Sequence, residues 1–90
     1  MVKALSLADI EKLLIDGRTE ESVSALHSLL KCEPQNDRGW YLLGSIYHRG
    51  QMWAEAIDAY GKAKMLSPDG PADAAIESIY GTLRAHHIEL

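Results

Sequence analysis

From Ser6 onward, apolar residues recur at the three- and four-residue spacing of a helix. Leu7, Ile10, Leu13 and Leu14 fall on one helical face. Ser6 precedes them as an N-cap, with Asp9 three residues on as the aspartate version of a capping box. This predicts a helix over 6–16, ended by Gly17 in the position a C-terminal glycine takes. Thr19 is expected to cap a second helix, with Glu20 and Glu21 in its first turn. That helix runs to about Lys31, with Val23, Leu26, Leu29 and Leu30 on one face. Two more are predicted over 37–49 and 53–66, joined by a turn at Gly50 and Gln51. After a turn at Asp69 and Gly70, Pro71 starts a last helix whose apolar stripe is Ile76, Ile79, Tyr80 and Leu83. The pattern is all-α, with about five antiparallel helices in one domain spanning 1–90.

The stretch from Gly39 to Pro68 adds a second layer of order. Trp40, Leu43, Tyr47 and Tyr60 are large residues spaced as knobs. Gly44 and Ser45 on one helix, and Ala56, Ala59 and Ala63 on the other, are small residues where two helices would touch. Pro34 and Pro68 lie 34 positions apart. At the same offset Leu13 pairs with Tyr47, Ser22 with Ala56, Val23 with Ile57, Leu26 with Tyr60, and Leu29 with Ala63. Such a period marks a repeat.

The Trp, Leu-Gly, Tyr, Ala, aromatic, Ala and Pro landmarks, carried here by Trp40, Leu43, Gly44, Tyr47, Ala56, Tyr60, Ala63 and Pro68, resemble a tetratricopeptide repeat (TPR) in order and spacing. The resemblance implies an α-α superhelix with a repeat over 37–70. Before it comes a degenerate one over 3–36, in which Ser6, Asp9 and Ile10 stand where tryptophan, leucine and glycine belong. Looser packing is expected there. The segment 71–88 lacks the landmarks, having Ala74, Glu77, Ser78 and Gly81 in their places. It reads as a capping helix, with the first helix of a third repeat as the alternative. A cap is physically required, because each unit leaves one apolar face for its neighbour.

Composition narrows the function classes. A net charge of -4 argues against nucleic-acid binding and against docking on an anionic membrane. The N-terminus has charges inside its apolar pattern and no cleavage site, so it does not read as a signal peptide. No stretch approaches the ~20 apolar residues of a membrane span. One cysteine, Cys32, allows neither an internal disulfide nor a cysteine-based zinc site within one chain, and a cytoplasmic protein is the simplest reading. Nothing marks a natural C-terminus, so a piece of a longer chain fits equally. The four histidines His27, His48, His86 and His87 form no ligand set, and no glycine-rich phosphate loop occurs. No catalytic residue, cofactor or metal is expected. Cys32 reads as a small buried apolar residue, His86 and His87 as a surface helix end, and Gly61 as a mark of close helix approach.

What remains is surface. In TPR proteins the first helix of each repeat lines a concave groove that binds protein. The resemblance places Ala4, Leu7, Glu11, Leu14 and Ile15 there from the first repeat, and Arg38, Tyr41, Leu42, Ser45, His48 and Arg49 from the second. Arginine and tyrosine are hot-spot residue types, and these would suit an extended segment with acidic and apolar side chains. The family's carboxylate clamp for chaperone C-terminal tails falls on Leu7, Glu11, Leu42, Ala72 and Ile76. None fits, and Glu11 would repel a carboxylate. The expected function is a non-catalytic adaptor or scaffold for a peptide or protein partner. The alternative is a homodimerisation domain using the apolar groove or the last helix.

Overall fold

The computed structural model of the chain describes residues 5–87, and among these the regular structure is five helices. They are α1 (Leu7–Ile15), α2 (Thr19–Cys32), α3 (Asp37–Arg49), α4 (Trp53–Leu66) and α5 (Ala72–Ala85). Lys3, Ala4 and Ile88, which the sequence assigns to the first repeat and the last helix, lie outside the described residues. Each helix packs chiefly on its neighbours in the chain, most extensively α3 on α4. The result is elongated, 48 × 28 × 18 Å, with a radius of gyration of 13.4 Å. A compact globule of this size would have about 12 Å. The molecule is a short superhelix with a continuous core.

Local chemistry sets the ends. Ser6 and Asp9 close a reciprocal capping box at the start of α1. Gly17, at φ +81, then reverses the chain. Its N–H donates to the Leu14 carbonyl and that of Arg18 to the Leu13 carbonyl, the paired bonds of a Schellman ending. The same ending closes α3, where Gln51 and Met52 donate to the carbonyls of His48 and Tyr47. There the left-handed residue is Gln51 (φ 59) and not Gly50, at the repeat position of Gly17. Thr19 does not cap α2. The Schellman turn is so tight that Arg18 is already the boundary residue, and Thr19 begins the helix. The Arg18 guanidinium instead pairs with Glu21 at 2.6 Å, and Ser22 Oγ donates to the Arg18 carbonyl at 2.9 Å. Asn36 caps α3 by accepting from the Gly39 N–H.

Packing follows the repeat with one informative departure. A Cβ on Gly44 would lie 2.5 Å from the Tyr60 ring, so α3 and α4 touch only because that position has no side chain. In the first repeat the same two positions hold Ile10 and Leu26, both fully buried. Bulk has moved from the second helix to the first, and the gap between helices is filled either way. The first repeat is nonetheless shorter. Ser6, in tryptophan's place, starts α1 one turn later than α3 starts, and Asp9, in leucine's place, is exposed and spent on the cap. Ile10, Leu26, Leu29, Leu30, Leu43, Ile46 and Ala59 form one buried cluster. Ala56, Tyr60, Ala63, Ala72, Ile79 and Leu83 form another, and Trp40 and Tyr47 pack against both.

Two expectations fail for the same geometric reason. The buried face of α2 is Ser22, Leu26, Leu29 and Leu30. Cys32 points about 105° from the middle of that face, at 100° per residue, and is exposed. Gly61 likewise turns away from the Ala56, Ala59, Tyr60 and Ala63 face of α4, and a Cβ there would meet nothing within 4 Å. It marks no close approach. The two glycines should therefore respond oppositely to alanine. Gly44→Ala should destabilise the fold by about 1–3 kcal/mol through overpacking. Gly61→Ala should stabilise it by about 0.5–1 kcal/mol through helix propensity. Urea unfolding followed by circular dichroism measures both, and equal signs would refute this placement of the helix faces.

Candidate binding groove

The exposed side of α3 is set by its register. Arg38, Leu42, Ser45 and Arg49 follow one another at steps of four, three and four residues, which keeps them on a single stripe. Across from that stripe α1 offers Glu11, Leu14 and Ile15. Together Glu11, Leu14, Ile15, Leu42, Ser45, Ile46 and Arg49 line an open depression of about 310 Å³ between the two helices. Its far end continues into a second depression bounded by Leu14, Thr19, Ile46, Arg49 and Gly50. Enclosed small-molecule sites start near ~300 Å³, so an open groove of this size suits side chains of a docked segment better than a sequestered ligand.

The expected site residues divide into three sets. Glu11, Leu42, Ser45 and Arg49 meet in the groove, with Leu14 and Ile15. Arg38 is exposed further along the same stripe, and Leu7 is half-buried against the first core cluster. Tyr41 and His48 lie elsewhere, packed on the α4 side. The Tyr41 ring is 5.3 Å from that of Tyr60, and His48 Nδ1 is 3.2 Å from the Tyr60 hydroxyl. His48 also meets the Trp53 ring edge-on at 5.8 Å. Ile46 joins the groove although the sequence reading passed over it. Its spacing of four from Leu42 was the available signal.

The groove is charged but internally unpaired. Among the described residues, ion pairs join Arg18 to Glu21, Lys62 to Asp58 and Lys64 to Asp73, and leave Arg38, Arg49 and Glu11 without one. Ser45 Oγ donates to the Leu42 carbonyl at 2.7 Å and is satisfied within the helix. Arg49 sits at the C-terminal end of α3, where the dipole favours a cation. A smaller depression lies away from the groove, lined by Pro34, Trp40, Lys62, Met65 and Leu66. There the Trp40 N–H donates to the Pro34 carbonyl at 2.9 Å, and Lys62 Nζ stands 4.4 Å above the indole ring. Among the described residues no three His, Cys, Asp or Glu side chains gather as metal ligands, and no helix is long and apolar enough to cross a membrane.

Stacked helix pairs with an open groove along their first helices define an α-helical repeat domain. The tetratricopeptide repeat family model matches residues 37–69. Tetratricopeptide repeat protein 37 of Xenopus laevis is 32% identical over 72 residues, which cover 76% of this chain and 5% of that protein. A solution NMR structure of the Bacteroides fragilis protein BF1650 superimposes with a TM-score of 0.79 at 32% identity, over 88% of this chain and 81% of that one. The chain belongs to the tetratricopeptide repeat family. Repeats of this family are in general protein–protein interaction modules and in general not enzymes. The chain spans only a small fraction of the Xenopus relative's length.

Behind the groove, Tyr60 is 2% exposed and its hydroxyl is pushed up to about 12. Burial is the main cause, the neighbouring Tyr41 adds to it, and Arg49 opposes it. Below pH 10 the phenol is neutral both folded and unfolded, so it contributes fully. Above pH 10 the unfolded chain releases the proton and the folded one does not. Stability should then fall by about 2 kcal/mol between pH 10 and the folded value. Unfolding midpoints from pH 9 to 11.5 should decline with this slope in the wild type. The slope should shrink in Tyr60→Phe, and an unchanged slope would place the alkaline titration elsewhere.

Proposed function

We propose that the chain is a non-catalytic adaptor that holds an extended segment of a partner protein in the groove between α1 and α3. The observation that carries this reading is the convergence of apolar and oppositely charged side chains from two helices on one open depression. Leu14, Ile15, Leu42 and Ile46 supply apolar contact, while Glu11 and Arg49 set orientation. Charges at the rim act mainly on specificity and association rate. In this reading α5 is the cap. Its inner residues Ala72, Ile79 and Leu83 are buried on α4, and its outer positions Asp73, Glu77, Ser78 and Arg84 are polar and exposed.

Self-association is the second reading, favoured by Ile15, which is 84% exposed at the groove's edge. Self-pairing would run through that edge. The only large apolar residue α5 exposes among the described residues is Tyr80.

Partner capture separates the two readings. Arg49→Glu and Ser45→Arg should each weaken capture of a partner about fivefold or more, with helix content retained. Ser24→Arg, on the exposed side of α2, should leave capture unchanged. Equal effects of all three would move binding out of the groove. Sedimentation across a wide concentration range should show one monomer mass. A dimer that Ile15→Ser abolishes would establish self-association instead.

A further inference from the structure

The kind of segment that fits the groove follows from the charges along the α3 stripe. Arg38 and Arg49 are eleven residues apart, three helical turns plus about 20°, so they stand on one line about 16 Å apart. Both are exposed and, among the described residues, neither has an ion-pair partner. The chain carries a net charge of -4, so two unpaired guanidinium groups on one stripe are a local exception to its overall sign. Between them the stripe offers half-buried Leu42 and the internally satisfied Ser45. The facing wall offers Glu11, then Leu14 and Ile15. Along the groove the order is cation, apolar step, anion, then a cation beside an apolar rim.

We propose that Arg38 and Arg49 act as a ruler, selecting an extended protein segment with two carboxylate side chains four to six residues apart and an apolar side chain between them. This rests on the groove reading above. An extended chain rises about 3.3 Å per residue, so about five residues cover the distance between the two arginines. A guanidinium group donates two parallel N–H···O bonds to a carboxylate, which fixes each end of the segment. The intervening apolar side chain rests on Leu42, and a hydroxyl or ammonium group near the middle of the segment meets Glu11. A segment with basic residues at both ends is repelled at both.

The test is selection of a phage-displayed decapeptide library on the intact chain, followed by anisotropy measurements on the enriched peptides. The expected outcome is enrichment of acidic pairs at that spacing around an apolar residue. Arg38→Gln or Arg49→Gln should weaken such peptides about fivefold each, and raised salt should weaken them further. Arg38→Glu should shift the preference at that end from acidic to basic. Enriched peptides that lack the acidic pair but are lost in Ser45→Arg would overturn the ruler and leave the groove reading standing. Enrichment insensitive to Ser45→Arg, or no enrichment above bare support, would overturn both.

Discussion

The contact between the Tyr60 ring and the bare backbone of Gly44 is the constraint on which the rest of this molecule depends. It sets how closely α4 approaches α3, with no room for a single Cβ between them. Once Tyr60 is seated there, its ring supports Tyr41 and its hydroxyl meets His48, so the α4-facing side of α3 is consumed by the core. The stripe of Arg38, Leu42, Ser45 and Arg49, about a quarter-turn further round the helix, is then turned toward α1. The groove is a by-product of where the core had to go.

The same contact explains why the two repeats can differ in sequence and still stack. Ile10 and Leu26 fill the place of Gly44 and Tyr60 with the bulk redistributed, and Ser22 lies fully buried where the second repeat has Ala56. Ser22 is tolerated because its hydroxyl bonds back to the Arg18 carbonyl. The first buried cluster joins Ile10, Leu26, Leu29 and Leu30 directly to Leu43, Ile46 and Ala59, so the two helix pairs share one core, and Trp40 and Tyr47 link it to the cluster beneath α5. In a repeat protein the coupling between neighbours is a large part of the stability. Here that coupling runs through the aliphatic side chains of α2 and α3 in the first cluster, with two aromatic side chains on α3 packed against it.

Most of the fold was legible because helical periodicity and turn chemistry are local. Ser6 with Asp9 and the Gly17 turn need only nearby residues to act, and the 34-residue spacing of Pro34 and Pro68 is one local helix-ending signal repeated. Burial was less legible, because it depends on which direction a residue takes once the neighbouring helix has docked. The identities of Cys32 and Gly61 suggest inward roles, and both point outward because of their angular position. The place of half of the expected groove residues was legible for a similar reason. Glu11, Leu42, Ser45 and Arg49 follow from the exposed stripes of α1 and α3. Tyr41 and His48, also expected in the groove, pack against Tyr60 and Trp53, and nothing local to them announces those contacts.

This division of α3 into two faces has a functional consequence. Substitutions on the Gly44 side change the distance between helices and are felt as stability. Substitutions on the Arg38–Arg49 stripe change charge and shape in solvent, where surface replacements generally cost little. Selection on binding can therefore act on the stripe with little interference from selection on folding. The landmarks that identify the family sit on the first face, which is why they report architecture so well and ligand chemistry so poorly. In the proposed reading the residues that discriminate one partner from another sit on the second, outside the landmarks, where spacing and charge in this chain carry their meaning.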